Sequence, residues 1–474
     1  MLFSSIPFLY YFLPIVALLY FIVPFKLKNY VLLIASLFFY FWGEKAFTII
    51  MILTALSGYV HGLFIEKYRG KIGSKIALIS SLIFGFAGLV VFKYADFIVT
   101  NVNGIFGTEI PLLKLALPIG ISFYTFQILS YNIDLYRGNA KVQKNPFTFM
   151  TYVSLFPQLI AGPIVRYVDV EKELEQRTHS LEMTSQGIDR FIIGLSKKVL
   201  LADTLAAFCN IVKTSENMSV IFMWSYAIAY ALHIYFDFSG YSDMAIGLGK
   251  MFGFKFLENF DYPYISKSIT EFWRRWHMSL GSWFRDYIYI PLGGNRVSKI
   301  KWLRNILVVW AFTGLWHGAK WAFVIWGLMF AALLLIEKLF LKTWLEKLPS
   351  IFSRIYTLLF ILISWVIFDA GMEGGITGNL TIAMERLKVM FGFGSVPFMT
   401  AETLYYLKSY AITFLIGFIG ATPLIKNVIL KLKEKQTAKK IINFLTPITY
   451  VALLIVVTAF LIDGSFSPFI YFSF

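Results

Sequence analysis

The chain has 474 residues, of which 58% are hydrophobic, 19% aromatic and 15% charged, and its mean hydropathy is +0.69. An average soluble domain has about 45–50% apolar and about 25% charged residues, so this composition excludes a set of ordinary soluble domains and favours a membrane protein. A single cysteine, Cys209, excludes an internal disulfide. The net charge of +16 is typical of Lys and Arg collecting in cytoplasmic loops, and because no nucleic-acid-binding motif occurs we expect no nucleic acid partner.

Apolar runs long enough to cross a bilayer recur along the chain, since a crossing helix needs about 20 mostly apolar residues. Clear candidates are 6–25, 29–43, 46–65, 76–92, 111–131, 187–208, 218–236, 409–425 and 446–462. Less clear candidates are 146–165, 303–317, 321–336 and 352–368. Several runs are short or broken by Pro or Gly, which favours re-entrant segments. The prediction is an all-α, polytopic integral membrane protein of about 11 crossings, forming a single domain over 1–474.

The placement of Lys and Arg predicts the orientation in the membrane. Lys26 and Lys28 follow the first apolar run, and basic clusters recur at 67–75, 137–144 and 426–440. Under the positive-inside rule these loops are cytoplasmic, and both termini are extracytoplasmic. The N-terminus lacks a basic region and continues into further spans, so we interpret it as an anchored helix and not a cleavable signal.

The segment 265–304 combines basic and aromatic residues. It carries eight Lys and Arg side chains, Arg274, Arg275 and Arg285 among them, against only Glu271 and Asp286. One interpretation is an amphipathic or re-entrant segment at the cytoplasmic interface, anchored by its aromatic residues. The other is a basic mouth that binds an anionic ligand. The two interpretations are compatible, and the sequence leaves both open.

His317 is the strongest candidate for a catalytic residue. The mostly apolar stretch 305–336 would be about 48 Å long as one helix, whereas the hydrocarbon core is about 30 Å thick. We therefore expect a break near Gly318. Counted from Arg304 as an interfacial anchor, His317 lies about 20 Å along the helix, inside the membrane. An ionisable group at that depth indicates function, and a neutral imidazole there suits a general base.

The other histidines carry weaker signals. We interpret His61 and His179 as structural or solvated, and His233 as a hydrogen-bonded structural residue. His277 lies in the basic–aromatic segment, where a structural and a functional role are equally expected. No metal-binding motif occurs, so no metal site is predicted.

Two carboxylates flank a glycine in the sequence FDFSGYSD, at 236–243. Asp237 and Asp243 lie next to an apolar run, where polar groups are costly unless they serve a purpose. Either they line a cavity, or they cap a helix that is broken at Gly240.

Several longer motifs resemble one known family. They are LPIGISFYTFQ at 117–127, FPQLIAGPIVR at 156–166, YFDFSGYSD at 235–243, FWRRWH at 272–277, WFRDYIYIPLGGNR at 283–296 and GLWHG at 314–318. Together they resemble the membrane-bound O-acyltransferases, most closely the bacterial alginate O-acetyltransferase branch. The resemblance is strongest over 1–370 and weaker beyond.

The resemblance implies a fold around a tunnel and assigns roles to residues. His317 matches the essential intramembrane histidine of the family, and His277 matches the second histidine of the bacterial branch. A thioester donor such as acetyl-CoA would enter from the cytoplasm, and no permanently bound cofactor is implied. We expect Arg274, Arg275 and Arg285, with Trp316 and Asp237, to contact substrate. His233 departs from the branch, where Gln is expected.

The implied activity is transfer of an acyl group, acetyl by preference, towards a cell-surface polysaccharide in the membrane of a bacterial cell. The expected partners are the lipid bilayer and an extracytoplasmic acetylase of the SGNH, AlgJ, AlgX or PatB type. Two alternatives stay open. One is a D-alanyl transferase of the DltB type that uses an acyl-carrier protein, and the other is a non-enzymatic exporter or scaffold of envelope polysaccharide synthesis.

Overall fold

The computed structural model describes residues 1–160, 162–374 and 380–464, and within these ranges the regular elements are helices, with no strand. The all-α prediction is confirmed. The helices pack into two compact units: one comprises Met1–Phe191 with Tyr241–Glu258, and the other comprises Ile192–Gly240 with the chain from Asn259 onward.

The first unit contains the N-terminal helices. They are α1 (Leu13–Ile22), α2 (Phe25–Glu44), α3 (Phe47–Lys67), α4 (Ile72–Leu89), α5 (Ala95–Phe106), α6 (Ile121–Arg137), α7 (Pro146–Ser154), α8 (Phe156–Leu159) and α9 (Tyr167–Glu175), followed by the start of α10 (Leu181–Ser196). Two π-helical turns, Phe8–Phe12 and Val90–Tyr94, precede α1 and α5. The crossing predicted at 111–131 becomes a helix only from Ile121, because Pro118 and the left-handed Gly120 (φ +77°) precede it.

Small residues let α3 and α4 approach α6 in this unit. A methyl group added at Gly58 would lie 2.3 Å from Ile128, and one at Gly62 would lie 2.8 Å from Tyr131. A methyl group added at Gly85 on α4 would lie 2.7 Å from the side chain of Leu129. Membrane helices associate through such small residues, since apolar packing against lipid gives no driving force.

The second unit contains the helices of the C-terminal half. They are α11 (Asp203–Thr214), α12 (Val220–Met251), α13 (Ile269–Arg275), α14 (Met278–Phe284), α15 (Lys299–His317), α16 (Trp321–Ile336), α17 (Lys342–Lys347), α18 (Ser350–Met372), α19 (Leu380–Met390), α20 (Ala401–Ser409), α21 (Ala411–Gly420), α22 (Leu424–Lys433) and α23 (Gln436–Ile462). The final turns of α12, from Tyr241, belong to the first unit. Short π-helical segments occur at Lys197–Ala202, Arg285–Tyr289 and Glu337–Leu341, and a 3₁₀ turn at Pro263–Ile265.

The helix α12 runs without a break through Gly240, so the expectation that a helix ends there is wrong. A methyl group at residue 240 would lie 2.7 Å from the carbonyl oxygen of Gly194 and 3.2 Å from the side chain of Lys197. Gly240 therefore permits close packing inside a continuous helix. A glycine that breaks a helix and a glycine that permits close packing look the same in the sequence.

The predicted break near Gly318 is confirmed. The helix α15 ends at His317 and α16 begins at Trp321, and the two form a tight hairpin. Added methyl groups at Gly314 and Gly327 would lie 2.2 Å and 2.3 Å from the carbonyl oxygens of Phe323 and Trp310. The hairpin thus holds His317 at its tip by backbone contact.

Six helices among the described residues are long and apolar enough to cross a membrane: Phe47–Lys67, Ile72–Phe106, Val220–Met251, Trp321–Lys347, Ser350–Met372 and Gln436–Ile462. A seventh is added if Ala411–Gly420 and Leu424–Lys433, bent by 61°, form one span. This confirms a multi-pass architecture with fewer full-length helices than 11, because several apolar runs fold as shorter pieces such as α1, α7 and α8.

Candidate active site

His317 lies at the C-terminal end of α15 and is 2% exposed. Three aromatic rings meet the imidazole edge-on: the centroid distances are 4.9 Å to Trp316, 5.2 Å to Trp326 and 5.3 Å to Phe368. These rings come from α15, α16 and α18, so tertiary packing, and not local sequence, builds the apolar surroundings of the histidine. Such surroundings disfavour a charged imidazolium.

His277 occupies the turn between α13 and α14 in a left-handed conformation, with φ +46°. A non-glycine residue pays roughly 1–2 kcal/mol for this conformation, so the surrounding contacts must hold it there. The side chain is 2% exposed and packs edge-on against Phe238 at 4.6 Å. Strain of this kind often marks a functional position.

The hydrogen bonds of Asn259 define the tautomer of His277. The Asn259 Oδ1 atom accepts from the Ser279 backbone N–H at 3.2 Å and from the Ser279 hydroxyl at 2.9 Å, and it lies 3.1 Å from His277 Nδ1. Because a backbone N–H can only donate, this atom is the amide oxygen, and His277 Nδ1 must carry the hydrogen. In the neutral ring Nε2 is then an acceptor.

Trp316 connects the two histidines. Its ring centroid lies 5.7 Å from that of His277 and 4.9 Å from that of His317, and the side chain is 4% exposed. The two candidate histidines, 40 positions apart in sequence, therefore lie on either side of one indole ring. Nothing in the local sequence around either histidine indicates this arrangement.

A cavity of about 680 Å³ opens beside His277, within the volume range of small-molecule sites. Its walls include Trp273, Trp276 and Trp310, and its cationic residues are Arg274, Arg285 and Lys338. The Arg285 side chain is 62% exposed and pairs with Asp286 at 2.6 Å, and this hydrogen bond raises the pKa of Arg285. The cavity therefore joins a positively charged rim to an aromatic interior. Lys338 was missed in the sequence because it lies far from the basic segment.

Two sequence candidates lie away from this cavity lining. Arg275 pairs with Asp261 at 2.8 Å and with Glu271 at 3.0 Å, and it is not among the residues that line the cavity. Asp237 is fully buried and lies 2.7 Å from Lys198, which also pairs with Asp203 at 2.8 Å. This ion cluster ties α12 to the start of α11.

The other singled-out polar residues lie in separate surroundings. His61 hydrogen-bonds the Ser57 carbonyl and the Ser80 hydroxyl, at 2.7 Å and 3.0 Å. His233 on α12 stacks on Tyr230 with ring centroids 6.0 Å apart. Asp243 pairs with Arg190 at 2.8 Å and so forms a salt bridge in the first unit.

The fold and the site define a class. A helical multi-pass membrane protein carries two buried histidines around a tryptophan, next to a cavity with a cationic rim. A family model described as the membrane-bound O-acyltransferase family matches residues 137–373, which include both histidines and all the residues named as lining the cavity. The chain belongs to this family, and it is a membrane-bound O-acyltransferase.

Curated relatives narrow the class. The chain is 42% identical over 400 residues to the probable alginate O-acetylase AlgI of Pseudomonas aeruginosa, covering 83% of this chain and 76% of that protein. It is 35% identical over 433 residues to the peptidoglycan O-acetyltransferase of Helicobacter pylori, covering 84% and 81%. It is 31% identical over 263 residues to the teichoic acid D-alanyltransferase of Bacillus subtilis, covering 52% and 65%.

Proposed function

We propose that this enzyme transfers an acetyl group from a cytoplasmic thioester donor, acetyl-CoA, to a hydroxyl group destined for an extracytoplasmic polysaccharide. The observation that carries the proposal is the cavity of about 680 Å³ in which His277 shares the lining with Arg274, Arg285 and Lys338. The similarity to an alginate O-acetylase and to a peptidoglycan O-acetyltransferase supports acetyl transfer to a polymer.

The cationic rim matches the phosphates of the donor. Arg274 and Arg285 can make charge-assisted hydrogen bonds to phosphate oxygens, and Lys338 adds a third positive charge from α16 and its continuation. The tryptophans farther in suit the apolar part of a thioester. Arg275 and Asp237, predicted from the sequence to contact substrate, are engaged in ion pairs outside this lining.

His317 acts as the general base in the proposed reaction. Its neutral imidazole accepts the proton of the acceptor hydroxyl while the oxygen attacks the thioester carbon. The carbon–sulfur bond then breaks, and the departing thiolate takes up the proton held by His317 and leaves as the thiol, which returns the imidazole to its neutral form. Trp316, Trp326 and Phe368 around the imidazole exclude water, which would otherwise hydrolyse the thioester.

His277 has a positioning role in this scheme. Polarising the thioester carbonyl would need a hydrogen on Nε2, whereas the contact with Asn259 places the hydrogen on Nδ1. The neutral ring can therefore accept a hydrogen bond from the donor and orient it, but it cannot donate one to the carbonyl. This geometry favours orientation of the donor over polarisation of its carbonyl group.

The proposed setting is the membrane of a bacterial cell, with cytoplasmic basic loops and extracytoplasmic termini. The acetyl group would pass to an extracytoplasmic partner acetylase of the SGNH type and then to the polymer. The hypothesis of a non-enzymatic exporter or scaffold is not supported, because the chain belongs to an enzyme family.

The central test uses purified protein, acetyl-CoA and a hydroxyl acceptor, with release of the free thiol as the readout. We expect His317→Ala to lower the rate by about 10²–10⁴-fold, the contribution typical of a positioned general base. His61→Ala is the matched control, because His61 hydrogen-bonds to its own helix and to the neighbouring one, at Ser57 and Ser80. A His317→Ala protein that works at the wild-type rate contradicts the mechanism.

A donor comparison separates acetyl transfer from D-alanyl transfer. The similarity to a teichoic acid D-alanyltransferase over half of the chain makes a D-alanyl-loaded carrier protein the appropriate second donor. We expect thiol release from acetyl-CoA and none above background from the loaded carrier. The reverse result would assign the enzyme to the D-alanyl branch.

A further inference from the structure

An apolar groove of about 630 Å³ lies between the first two helices, in the first unit, and it shares no residue with the proposed acyl-transfer site. One wall is formed by Phe12, Val16 and Leu19, and the other by Val31, Phe38 and Trp42. The lining surface is apolar throughout. The proposed function does not use this groove.

The length of the groove matches one leaflet of a bilayer. Along α2 it extends from Val31 to Trp42, which is about 16 Å of helix. Half of a hydrocarbon core about 30 Å thick is about 15 Å. An acyl chain lying in the groove would therefore reach from the interface to the middle of the membrane.

Two cationic side chains, Lys28 and Arg177, and the imidazole of His179 lie at one end of this groove. Lys28 lies one turn before Val31, and its Nζ atom stands 4.5 Å from the ring centroid of Tyr20, the residue that follows Leu19. Arg177 Nε donates to the Tyr20 hydroxyl at 3.0 Å, and His179 Nε2 lies 2.8 Å from the same oxygen. Tyr20 thus gathers Lys28, Arg177 and His179 at the groove end.

The cluster carries positive charge that its surroundings do not balance. Among the residues that the structure describes, neither Lys28 nor Arg177 nor His179 makes an ion pair. Arg177 is 7% exposed. Its Nη1 donates to the Asn29 Oδ1 atom and the Glu173 carbonyl, whereas its Nη2 has no hydrogen-bond partner in the described part of the chain. Glu173 is the carboxylate that acts on it electrostatically.

The surroundings of His179 combine burial with nearby positive charge. Burial, together with the charges of Lys28 and Arg177, lowers the pKa of His179. An anion at this position would offset that repulsion. Lys28, which is half-buried, is the donor available at the surface, and Arg177 adds its charge from behind.

We propose that the α1–α2 groove and the Lys28–Arg177–His179 cluster form a binding site for one anionic phospholipid, with an acyl chain in the groove and the phosphate at the cluster. Two independent features support it: an apolar channel of leaflet length, and a positive cluster at the end of the channel that corresponds to a headgroup. Basic side chains at the membrane interface recognise anionic lipids in this way.

The experiment measures lipid retained by the full-length protein in detergent, by native mass spectrometry with added phosphatidylglycerol. We expect one molecule bound per chain, and phosphatidylcholine to bind far more weakly. Lys28→Glu changes the charge by two units and should weaken binding roughly thirtyfold, at about 1 kcal/mol per charge. Lys26→Glu is the matched control, because Lys26 lies on the same helix, exposed and outside the cluster.

The groove is tested separately from the cluster. Leu19→Trp fills the groove and should abolish retention, whereas Leu18→Trp, at an exposed neighbour that does not line it, should leave retention unchanged. The proposal is overturned if phosphatidylcholine binds as well as phosphatidylglycerol, or if Lys28→Glu or Leu19→Trp retains as much lipid as the wild-type protein. It is also overturned if glycerol 3-phosphate alone competes fully, or if the protein appears as a dimer mass without lipid. The acyl-transfer assay is independent of this readout, so failure of one leaves the other standing.

Discussion

At the scale of single residues, the site depends on the two histidines and also on the side chains that position them. Asn259 fixes the tautomer of His277, and the indole of Trp316 keeps both imidazoles at ring-contact distance. Each of these residues contacts a histidine from a different element. Their importance is therefore testable without touching the histidines.

Removing the amide of Asn259 should impair acyl transfer while the protein stays folded. In Asn259→Leu the Nδ1 hydrogen of His277 loses its acceptor, a loss worth about 1–3 kcal/mol, so we expect turnover to fall about five- to 150-fold. Thiol release with acetyl-CoA measures it. Ser279→Ala is the control, because it removes one donor to Asn259 and leaves the acceptor for His277 in place.

A pH profile distinguishes positioning from mere packing. In Asn259→Asp a carboxylate beside Nδ1 stabilises the imidazolium, so the neutral ring persists only at higher pH. The acidic limb of the rate profile should then move to higher pH. An unchanged profile in Asn259→Asp, with normal turnover in Asn259→Leu, would mean that Asn259 does not act through His277.

Sequence reasoning could single out residues but not their neighbours. His317 stands out because an ionisable group deep in an apolar run is costly wherever its partners are. Lys338, Trp326 and Phe368 carry no such signal, because a lysine at the end of an apolar helix and an aromatic residue within one are ordinary. Only the packing of α16 against α15, and of α18 against α16, brings them to the site.

At the scale of elements, the length of an apolar stretch could be used to predict a helix break, whereas close packing between helices could not be predicted. The break at Gly318 follows from arithmetic, since a stretch of 32 residues is too long for one crossing and too short for two. The continuity of α12 through Gly240 could not be derived, because a glycine needed for close contact and one that breaks a helix look alike along the chain.

The α15–α16 hairpin should be intolerant of added volume. In Gly327→Ala the new methyl group would meet the Trp310 carbonyl oxygen at 2.3 Å, so the helices must separate. We expect a loss of about 1–3 kcal/mol in stability, measured by thermal unfolding in detergent, and a larger loss of acyl transfer because His317 sits at the hairpin tip.

The control for this substitution is another helical glycine with room around it. Gly104 on α5 has no atom within 4 Å of an added methyl group. Gly104→Ala should be neutral or should stabilise by roughly 0.5–1 kcal/mol, the usual gain of alanine over glycine in a helix. If Gly327→Ala unfolds no earlier than Gly104→Ala, the hairpin contact does not constrain the fold.

At the scale of the whole molecule, the distribution of polarity is that of a protein in lipid. Large apolar side chains stand exposed on the long helices, such as Ile34, Ile83 and Ile455, each more than 60% accessible. Charged groups such as Lys198, Asp203 and Asp237 lie buried as ion pairs. The high apolar fraction of the chain thus covers a lipid-facing surface as well as a core.

The orientation of this surface in the membrane is a prediction that α23 makes testable. With 27 residues, about 40 Å of helix, and very little of its length buried against other helices, α23 is long enough to cross the membrane. Lys435 and Asp463 flank it, so they must lie on opposite sides. The basic cluster 426–440 predicts that Lys435 lies in the cytoplasm and Asp463 outside.

Labelling of single introduced cysteines reports this arrangement. The native thiol of Cys209 should not interfere, because burial raises its pKa and the residue is 4% exposed. In a Cys209→Ala background, an impermeant maleimide applied to intact cells should label Asp463→Cys but not Lys435→Cys. Lys71→Cys, in the second basic cluster, should behave like Lys435→Cys. Permeabilised cells should label all three. If Lys71→Cys and Lys435→Cys are labelled in intact cells, the orientation is the opposite of the predicted one. The positively charged loops would then face outward, and the proposed entry of the donor from the cytoplasm would be wrong.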